Sequence, residues 1–278
     1  MEDFEFQRII QLITKTTGII PRDSHKTGIK NFIDKRIPEL QKEAKSSKED
    51  FLSYYHYLQN HQEEVINLIN SATVNETYFF REEAQFKLLK EKILPELNLK
   101  NGGKIKIWSA ASSSGEEIFS LYLLAKSMGI EAECTATDIN TNVLEICKNG
   151  SYKKNAIRTV DGASFSNLLL PYQQKDETFQ LPQNICDKIT RFQINLANMQ
   201  ELPKNQDIVF IRNVFIYFST ETRMKILKRI SEEALNDGGY IFVSMNETAS
   251  IERNMLPPNL VKLSDGNVFY FQKQGGEK

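Results

Sequence analysis

The periodicity of the apolar residues changes near residue 101, and this change constrains the fold more than any other feature of the sequence. Before it, apolar residues recur at three- and four-residue intervals, as Ile29, Phe32, Ile33 and Ile37 do, which is typical of amphipathic helices. After the turn signal Asn101-Gly102-Gly103, short apolar runs alternate with helical patterns. This alternation predicts a mostly parallel sheet with helices on both faces, hence an α/β fold preceded by an all-α segment.

Five apolar runs are the predicted strands of this sheet. They comprise residues 104–109, 133–137, 207–212, 240–244 and 268–272. The segment 158–193 breaks the alternation, because a polar stretch, 173–178, separates apolar runs on either side. It is interpreted as a small antiparallel insertion or as an irregular lid, and both interpretations remain open at this point.

Composition excludes several classes of function. The net charge of −1 over 278 residues gives no bulk attraction to nucleic acid. No run approaches the roughly 18 apolar residues of a membrane span. The acidic start Met1–Glu5 is unlike a signal peptide, so a cytoplasmic protein is predicted. The three cysteines lack CxxC spacing and the three histidines lack HExxH spacing, so neither a metal site nor a histidine triad is predicted.

Small and acidic residues follow the first predicted strand. The run from Ser109 to Gly115 lets a ligand approach the backbone closely, but it lacks the GxGxxG pattern of dinucleotide sites. Glu116 and Glu117 would repel a pyrophosphate and suit a ligand with a cationic or hydroxylic part. Either acid alone is also explained by its favourable interaction with the N-terminus of a helix.

Asp138 directly follows the second predicted strand, about 20 residues past the glycine loop. Nucleotide-binding sheets hold ribose hydroxyls with a carboxylate at this position. An N-cap for the following helix is the alternative. Together with the preceding loop, ribose binding is the better supported interpretation.

Polar side chains also lie at the end of the third predicted strand. Arg212, Asn213 and Tyr217 are interleaved with apolar residues at the predicted site end of the sheet. A core tyrosine with a locally satisfied hydroxyl remains an alternative for Tyr217. Upstream, the polar and aromatic segment Asn75–Glu82 lies where the helical part meets the sheet part, which fits a ligand cleft or a joint between two helices.

These segments together resemble the chemotaxis receptor glutamate O-methyltransferases, the CheR family. The resemblance runs from about residue 5 to residue 272. It is carried by Asn75–Glu82, Trp108–Glu117, Thr137-Asp138-Ile139, Asn195-Leu196, Arg212–Phe218 and Gly266–Tyr270. The small-residue loop with Gly-Glu-Glu and the run Arg-Asn-Val-Phe-Ile-Tyr-Phe are specific as a pair.

The resemblance implies a Rossmann-like S-adenosylmethionine-dependent methyltransferase. It implies an N-terminal helical domain, residues 1–80, a cofactor-binding domain, residues 81–278, and a small antiparallel β-subdomain within 158–193. The cofactor contacts it implies are Asn75, Thr77, Arg81, Glu117, Asp138, Asn195, Leu196, Arg212 and Asn213. Asp138 would hold the ribose and Asn195-Leu196 the adenine, while Glu117 is preferred to Glu116 as the cofactor acid. Arg81 and Tyr217 are the candidate catalytic residues, and the product would be S-adenosylhomocysteine.

The implied substrate is the helical, acidic methylation region of bacterial chemoreceptors. Residues 22–48 contain eight Lys or Arg against four Asp or Glu. Lys26, Lys30, Lys35 and Arg36 are candidate receptor contacts, although a solvated helix surface explains them equally well. The short tip 173–177 lacks glycine, unlike the longer loop of family members that dock on a receptor tethering peptide. Nothing in the sequence requires more than a monomer.

Three other functions compete with this interpretation. A methyltransferase acting on nucleic acid is disfavoured by the near-zero charge and by the absence of a basic and aromatic strip, whereas a small-molecule acceptor stays open. A cofactor-binding sensor would not need both Arg81 and Tyr217. A nicotinamide-dependent oxidoreductase is weakened by the missing GxGxxG.

Overall fold

The computed structural model describes residues 3–47, 53–158 and 161–275. They form two compact units. One contains the described residues up to Val74 together with Tyr217–Ser219, and the other contains the described residues of 75–216 and 220–275. The domain boundary at residue 80 stays a prediction. In the ranges that the structure describes, every helix is too short or too polar to cross a lipid bilayer.

The first unit is built from four helices. Helices α1 to α4 span Asp3–Thr17, Asp23–Ser47, Tyr54–Asn60 and Gln62–Ala72. Gly18, with φ of 73°, ends α1, and the Ser53 side chain caps α3 by accepting from the His56 N–H. The predicted apolar stripe is buried, since Ile29 and Ile33 of α2 pack with Leu68 in one core.

The second unit is an α/β sheet domain, as predicted. Strands β1 to β9 span Lys104–Ser109, Glu131–Asp138, Ser151–Tyr152, Phe179–Gln180, Ile189–Gln193, Gln206–Phe210, Leu235–Phe242, Leu260–Asp265 and Val268–Lys273. Helices α5 to α11 span Glu83–Leu88, Leu94–Lys100, Glu116–Ser127, Thr141–Asn149, Gln183–Cys186, Thr220–Arg229 and Met245–Thr248. Short π-helical segments follow α5, at Leu89–Ile93, and α10, at Ile230–Ala234.

Seven strands form the main sheet in the order β5-β2-β1-β6-β7-β9-β8. The first five in this order run parallel, and β9 runs antiparallel to both of its neighbours, β7 and β8. The chain moves outward from β1 to β2 and β5, then returns beside β1 with β6. The winding therefore reverses between β1 and β6, and the carboxyl ends of these strands define the ligand crevice.

The insertion contains a two-stranded antiparallel sheet. Strand β3 pairs with β4, and short helical turns at Ala163–Leu168 and Leu170–Tyr172 lie between them. The polar stretch after Tyr172 turns back on itself, because the Gln174 N–H donates to the Thr178 carbonyl at 2.8 Å. A small antiparallel element, as predicted, is thus present. Its strands lie at 151–152 and 179–180, so it begins earlier in the chain than the predicted segment.

Candidate active site

The predicted site residues of the sheet unit follow four parallel strands. Glu117 lies in the first turn of α7 after β1, and Asp138 is the last residue of β2. Asn195 follows β5, and Arg212 follows β6. These positions surround the switch point of the sheet, where an α/β fold binds its ligand.

The loop between β1 and α7 is fastened to the end of β2. The Ser112 N–H donates to the Thr137 carbonyl at 2.9 Å, and the Ser113 N–H donates to Asp138 Oδ2 at 2.9 Å. Gly115 has φ of 96°, and a Cβ there would lie 2.4 Å from Cys147 Sγ, so only glycine fits. The turn thereby brings the start of α7 beside the Asp138 carboxylate.

A buried ion pair joins β6 to α7. Arg212 Nε donates to Glu117 Oε2 at 2.6 Å, and the Arg212 side chain is only 2% exposed. The other carboxylate oxygen, Glu117 Oε1, accepts from Ser109 Oγ at 2.6 Å. The charge-assisted bonds fix the Glu117 side chain at the ends of β1 and β6.

The same guanidinium also holds the Arg81 segment. Arg212 Nη1 donates to the Arg81 carbonyl at 2.6 Å and to Gln85 Oε1 at 3.1 Å. Glu82 Oε2 lies 3.7 Å from Arg212 Nη1, and the Glu82 carboxylate accepts from the Met245 N–H. Arg212 is thus the centre of a network that links Arg81 and Glu117, two predicted site residues.

Two further carboxyl groups, those of Glu116 and Asp138, are buried at the start of α7 and at the end of β2, outside the Arg212 network. Burial raises the pKa of Glu82, Glu116 and Asp138. No Lys or Arg of the described residues lies within ion-pair distance of Glu116 or Asp138. The site therefore favours a ligand that carries positive charge or donates hydrogen bonds.

The segment 75–82 is held from the insertion. Asp161 accepts from the Tyr78 hydroxyl at 2.8 Å, from the Glu82 N–H at 2.7 Å and from the Glu83 N–H at 2.8 Å. A Cβ at Gly162 would meet the Phe79 carbonyl oxygen at 2.7 Å. Asp161 was not among the predicted site residues, since nothing local to it indicates a contact some 80 residues away.

The remaining predicted site residues make separate contacts in the sheet unit. Asn75 joins the loop after β1, because its carbonyl accepts from Ser113 Oγ at 3.1 Å. Asn195 Oδ1 accepts from the Ala197 N–H, which caps a short turn that starts at the buried Leu196. Thr77 is half-buried. The Arg81 side chain donates to the Glu76 carbonyl at 3.0 Å.

Tyr217 belongs to the compact unit of the N-terminal helices. Its carbonyl accepts from the Ile20 N–H at 2.9 Å, and its ring centroid lies 5.4 Å from that of His25. Asn213, a few residues earlier in the chain, belongs to the sheet unit. There, its backbone N–H donates to Glu247 Oε2 at 2.8 Å. The sequence analysis did not assign Glu247 to the site.

The donor and acceptor groups fit S-adenosylmethionine. Asp138 accepts two backbone N–H groups, from Ser113 and Asn140, and a carboxylate has about four acceptor positions, which leaves room for two ribose hydroxyls. The surplus of buried carboxylate suits an ammonium group and a sulfonium. A parallel sheet with these groups at its switch point defines the class of S-adenosylmethionine-dependent methyltransferases.

Comparison with known proteins identifies the family within this class. The sequence-family model of the CheR methyltransferase S-adenosylmethionine-binding domain matches residues 75–259 of this chain. Chemotaxis protein methyltransferase 2 of Vibrio cholerae is 32% identical over 258 residues, which cover 89% of this chain and 86% of the relative. The chemotaxis protein methyltransferase of Escherichia coli is 30% identical, covering 90% of this chain and 86% of the relative. That of Borreliella burgdorferi is 29% identical, covering 90% of each. The chain belongs to the CheR family of chemotaxis protein methyltransferases.

Proposed function

We propose that this protein transfers a methyl group from S-adenosylmethionine to specific glutamate side chains of bacterial chemoreceptors. The observation that carries the proposal is the buried acidic network at the carboxyl ends of β1, β2 and β6, in a chain of the CheR family. The relatives are named chemotaxis protein methyltransferases, which supports a receptor of the chemotaxis system as the acceptor.

The proposed cofactor contacts include carboxylates for the polar parts of the cofactor and an apolar surface for its adenine. Asp138 would accept from the ribose hydroxyls, and Glu117 would face the ammonium end of the cofactor. Leu196 offers an apolar surface for the adenine. The full proposed set is Asn75, Thr77, Arg81, Glu117, Asp138, Asn195, Leu196, Arg212 and Asn213. Arg212 has a second role in this proposal, because it holds Glu117 and the Arg81 carbonyl in place.

The chemistry needs alignment rather than a strong base. When bound, the cofactor supplies a methyl group on a sulfonium, which is a good leaving group. A glutamate carboxylate is ionised near neutral pH and attacks without prior proton removal. Arg81 would pair with the incoming carboxylate, and Tyr217 would hold one of its oxygens so that the other oxygen faces the methyl group. Protein side chains then contribute orientation and exclusion of water.

The protonation of the buried cysteine thiols supports direct transfer of the methyl group to the substrate carboxylate. Cys134, Cys147 and Cys186 are buried, and burial raises the pKa of all three thiols, that of Cys147 to about 12. None of the three is therefore a thiolate near neutral pH. This favours direct attack by the substrate carboxylate over a cysteine-bound methyl intermediate.

The proposed receptor contacts lie on α2, and two of them are better supported than the others. Lys30 and Lys35 are exposed, and neither forms an ion pair with a carboxylate of the described residues. Lys26 pairs with Asp23 at 2.9 Å, and Arg36 pairs with Glu39 and Glu64. Of the four candidates, Lys30 and Lys35 are thus the two that are best placed to pair with an acidic receptor helix.

Methyl transfer to receptors tests this proposal. The protein is incubated with methyl-labelled S-adenosylmethionine and membranes that carry chemoreceptors of the same cell, and base-labile label is measured. Carboxyl methyl esters release methanol in alkali, whereas N-methyl groups do not. We expect base-labile receptor label that Arg81→Ala and Tyr217→Phe abolish while cofactor binding stays measurable. Tight cofactor binding without label on any receptor would exclude glutamate methylation and favour another acceptor or a sensor.

A further inference from the structure

The turn after β6 adopts a backbone conformation that needs external support. Asn213 has φ of 57°, in the left-handed region that costs most residues about 1 kcal/mol or more. Asparagine tolerates this region better than other residues with a Cβ. Neighbouring groups must nevertheless stabilise this conformation, because Asn213 lies in the turn after β6, outside the regular strand.

A single buried carboxylate supplies that support. Glu247 Oε2 accepts from the Asn213 N–H at 2.8 Å, and Glu247 Oε1 accepts from the Ile216 N–H at 3.2 Å. The residue is only 2% exposed. The two oxygens therefore accept from both ends of the turn 213–216.

Glu247 is itself fixed at the end of the neighbouring strand. It is the third residue of α11, whose N-cap is Ser244, and the two residues form a capping box. Ser244 Oγ donates to Glu247 Oε2 at 2.9 Å, and the Ser244 N–H donates to the same oxygen at 3.3 Å. Because β7 pairs with β6, this carboxylate joins the end of one strand to the turn that follows the other.

We propose that Glu247 is a positioning residue for cofactor binding, which acts by holding Asn213 in its left-handed conformation. The inference rests on the proposed cofactor contact of Asn213. In Glu247→Gln, one oxygen becomes an amide NH2, and whichever oxygen is replaced meets a backbone N–H that needs an acceptor. The turn then relaxes, and the Asn213 side chain leaves the position that the cofactor requires.

Binding of S-adenosylhomocysteine to the full chain, measured by titration calorimetry, tests the inference. For Glu247→Gln we expect binding about tenfold or more weaker, the size of effect that follows from losing a hydrogen bond to a charged group. The matched control is Asp207→Asn. Asp207 is also buried, at 6% exposure, and accepts from the Lys106 N–H and Asn236 Nδ2, both at 2.8 Å, at the opposite end of the same β6.

The two variants separate positioning from general destabilisation. Thermal unfolding is followed in parallel by the fluorescence of Trp108, the single tryptophan, and binding is measured well below each midpoint. We expect both variants to unfold earlier than wild type and only Glu247→Gln to bind weakly. Wild-type affinity in Glu247→Gln, or equal weakening in Asp207→Asn, would overturn the inference. If Glu247→Gln does not fold, Glu247→Asp, whose carboxylate reaches one methylene less far, is judged by the same criteria.

Failure of this inference differs from failure of the proposed function. Calorimetry needs no receptor and no transfer, so tight binding by wild type without receptor label would refute glutamate methylation and leave the Glu247 inference standing. Normal receptor methylation with unchanged binding by Glu247→Gln would refute the inference alone. Absence of binding by wild type would overturn both.

Discussion

Each unit of the molecule contains an arginine–glutamate pair whose glutamate is buried, and the two pairs differ in their surroundings. In the helical unit, Arg36 binds the buried Glu64, which also accepts from the Tyr54 hydroxyl at 2.8 Å. The other carboxylates near Arg36, those of Glu39 and Glu43, are more than 60% exposed. In the sheet unit, the additional carboxylates are buried with the pair.

This difference distinguishes a cluster that connects helices from one that is prepared for a ligand. Around Arg36, each charge is either paired or hydrated, so the cluster joins α2 to α4 without a further partner. Glu82 lies beside Arg212, and Glu116 and Asp138 lie at the start of α7 and the end of β2; burial raises the pKa of all three carboxyl groups. Desolvated charge lowers stability, and a cationic ligand that donates hydrogen bonds relieves this cost.

Replacing the two arginines should give the largest contrast. Arg212→Met leaves Glu117 buried without its partner, and we expect a loss of about 3–5 kcal/mol in the free energy of unfolding. Arg36→Met should cost about 1–2 kcal/mol, because Arg36 is 24% exposed, water reaches the site and Tyr54 still donates to Glu64. Urea denaturation measures both, by Trp108 fluorescence for Arg212→Met and by far-UV circular dichroism for Arg36→Met. An equal or greater cost for Arg36→Met would contradict the comparison.

Removing one hydroxyl donor from each glutamate should separate stability from binding. Ser109→Ala removes the hydroxyl that donates to Glu117 Oε1, and Tyr54→Phe removes the hydroxyl that donates to Glu64 Oε1, which keeps Arg36 Nε as a donor at 3.3 Å. We expect each variant to lose about 1–3 kcal/mol of stability. Only Ser109→Ala should weaken S-adenosylhomocysteine binding in calorimetry. Weaker binding by Tyr54→Phe would show that the helical cluster also serves the ligand.

The raised pKa of Asp138 predicts opposite pH effects on stability and binding. Because the folded state takes up this proton more readily than the unfolded state, stability relative to Asp138→Asn should rise as the pH falls from about 7 to about 4 and be lost as the pH rises through the folded pKa. Over the same range, S-adenosylhomocysteine binding should weaken, since a protonated carboxyl group accepts fewer hydrogen bonds. Denaturation and calorimetry at matched pH check the two signs, and parallel trends would refute the assignment.

The smallest expected effect concerns an unpaired hydroxyl in the cofactor loop. Among the described residues, the buried side-chain atoms without a hydrogen-bond partner are Ser112 Oγ and Gln206 Oε1, both in the sheet unit. Ser112→Ala should leave stability unchanged or raise it by up to about 1 kcal/mol. Its control, Ser120→Ala, removes a hydroxyl that donates to the Glu116 carbonyl and accepts from the Phe80 N–H, and should destabilise. Thermal unfolding compares them, and a destabilising Ser112→Ala would reveal a partner for that hydroxyl.

The sequence predicted those site features that depend on chain order. Asp138 and Glu117 follow parallel strands, whose ends converge at one edge of the sheet. The partners of these residues depend on tertiary contacts instead. Arg212 and Glu117 are 95 positions apart, and no local pattern pairs them. The spacing of Ser244 and Glu247 does match a capping box, but its bonds to the turn 213–216 follow only once β6 and β7 are neighbours.

Two strands of the main sheet were missed for a physical reason. Strand β5 is five residues long and lies at an edge, and its two apolar residues, Ile189 and Phe192, are three positions apart, so its sequence lacks the alternation that predicts a strand. Strand β8 lies at the other edge and is paired on one side by β9. Edge strands need less apolar surface than central ones, and their periodicity is correspondingly weak.

The left-handed residues of the structure have a consequence for protein engineering. Of the six described non-glycine residues with positive φ, four lie in the segments that form the proposed cofactor site: Phe80, Glu82, Ser113 and Asn213. At Ser113 and Asn213, whose side chains are small and polar, glycine would relieve this strain, so selection for heat resistance would favour such replacements there, whereas at the fully buried Phe80 it would leave a destabilising cavity. The hardier variants would lose the side chains and the rigidity that hold the ligand. Thermal tolerance and turnover in this enzyme are therefore expected to be traded against each other at a few identifiable backbone positions.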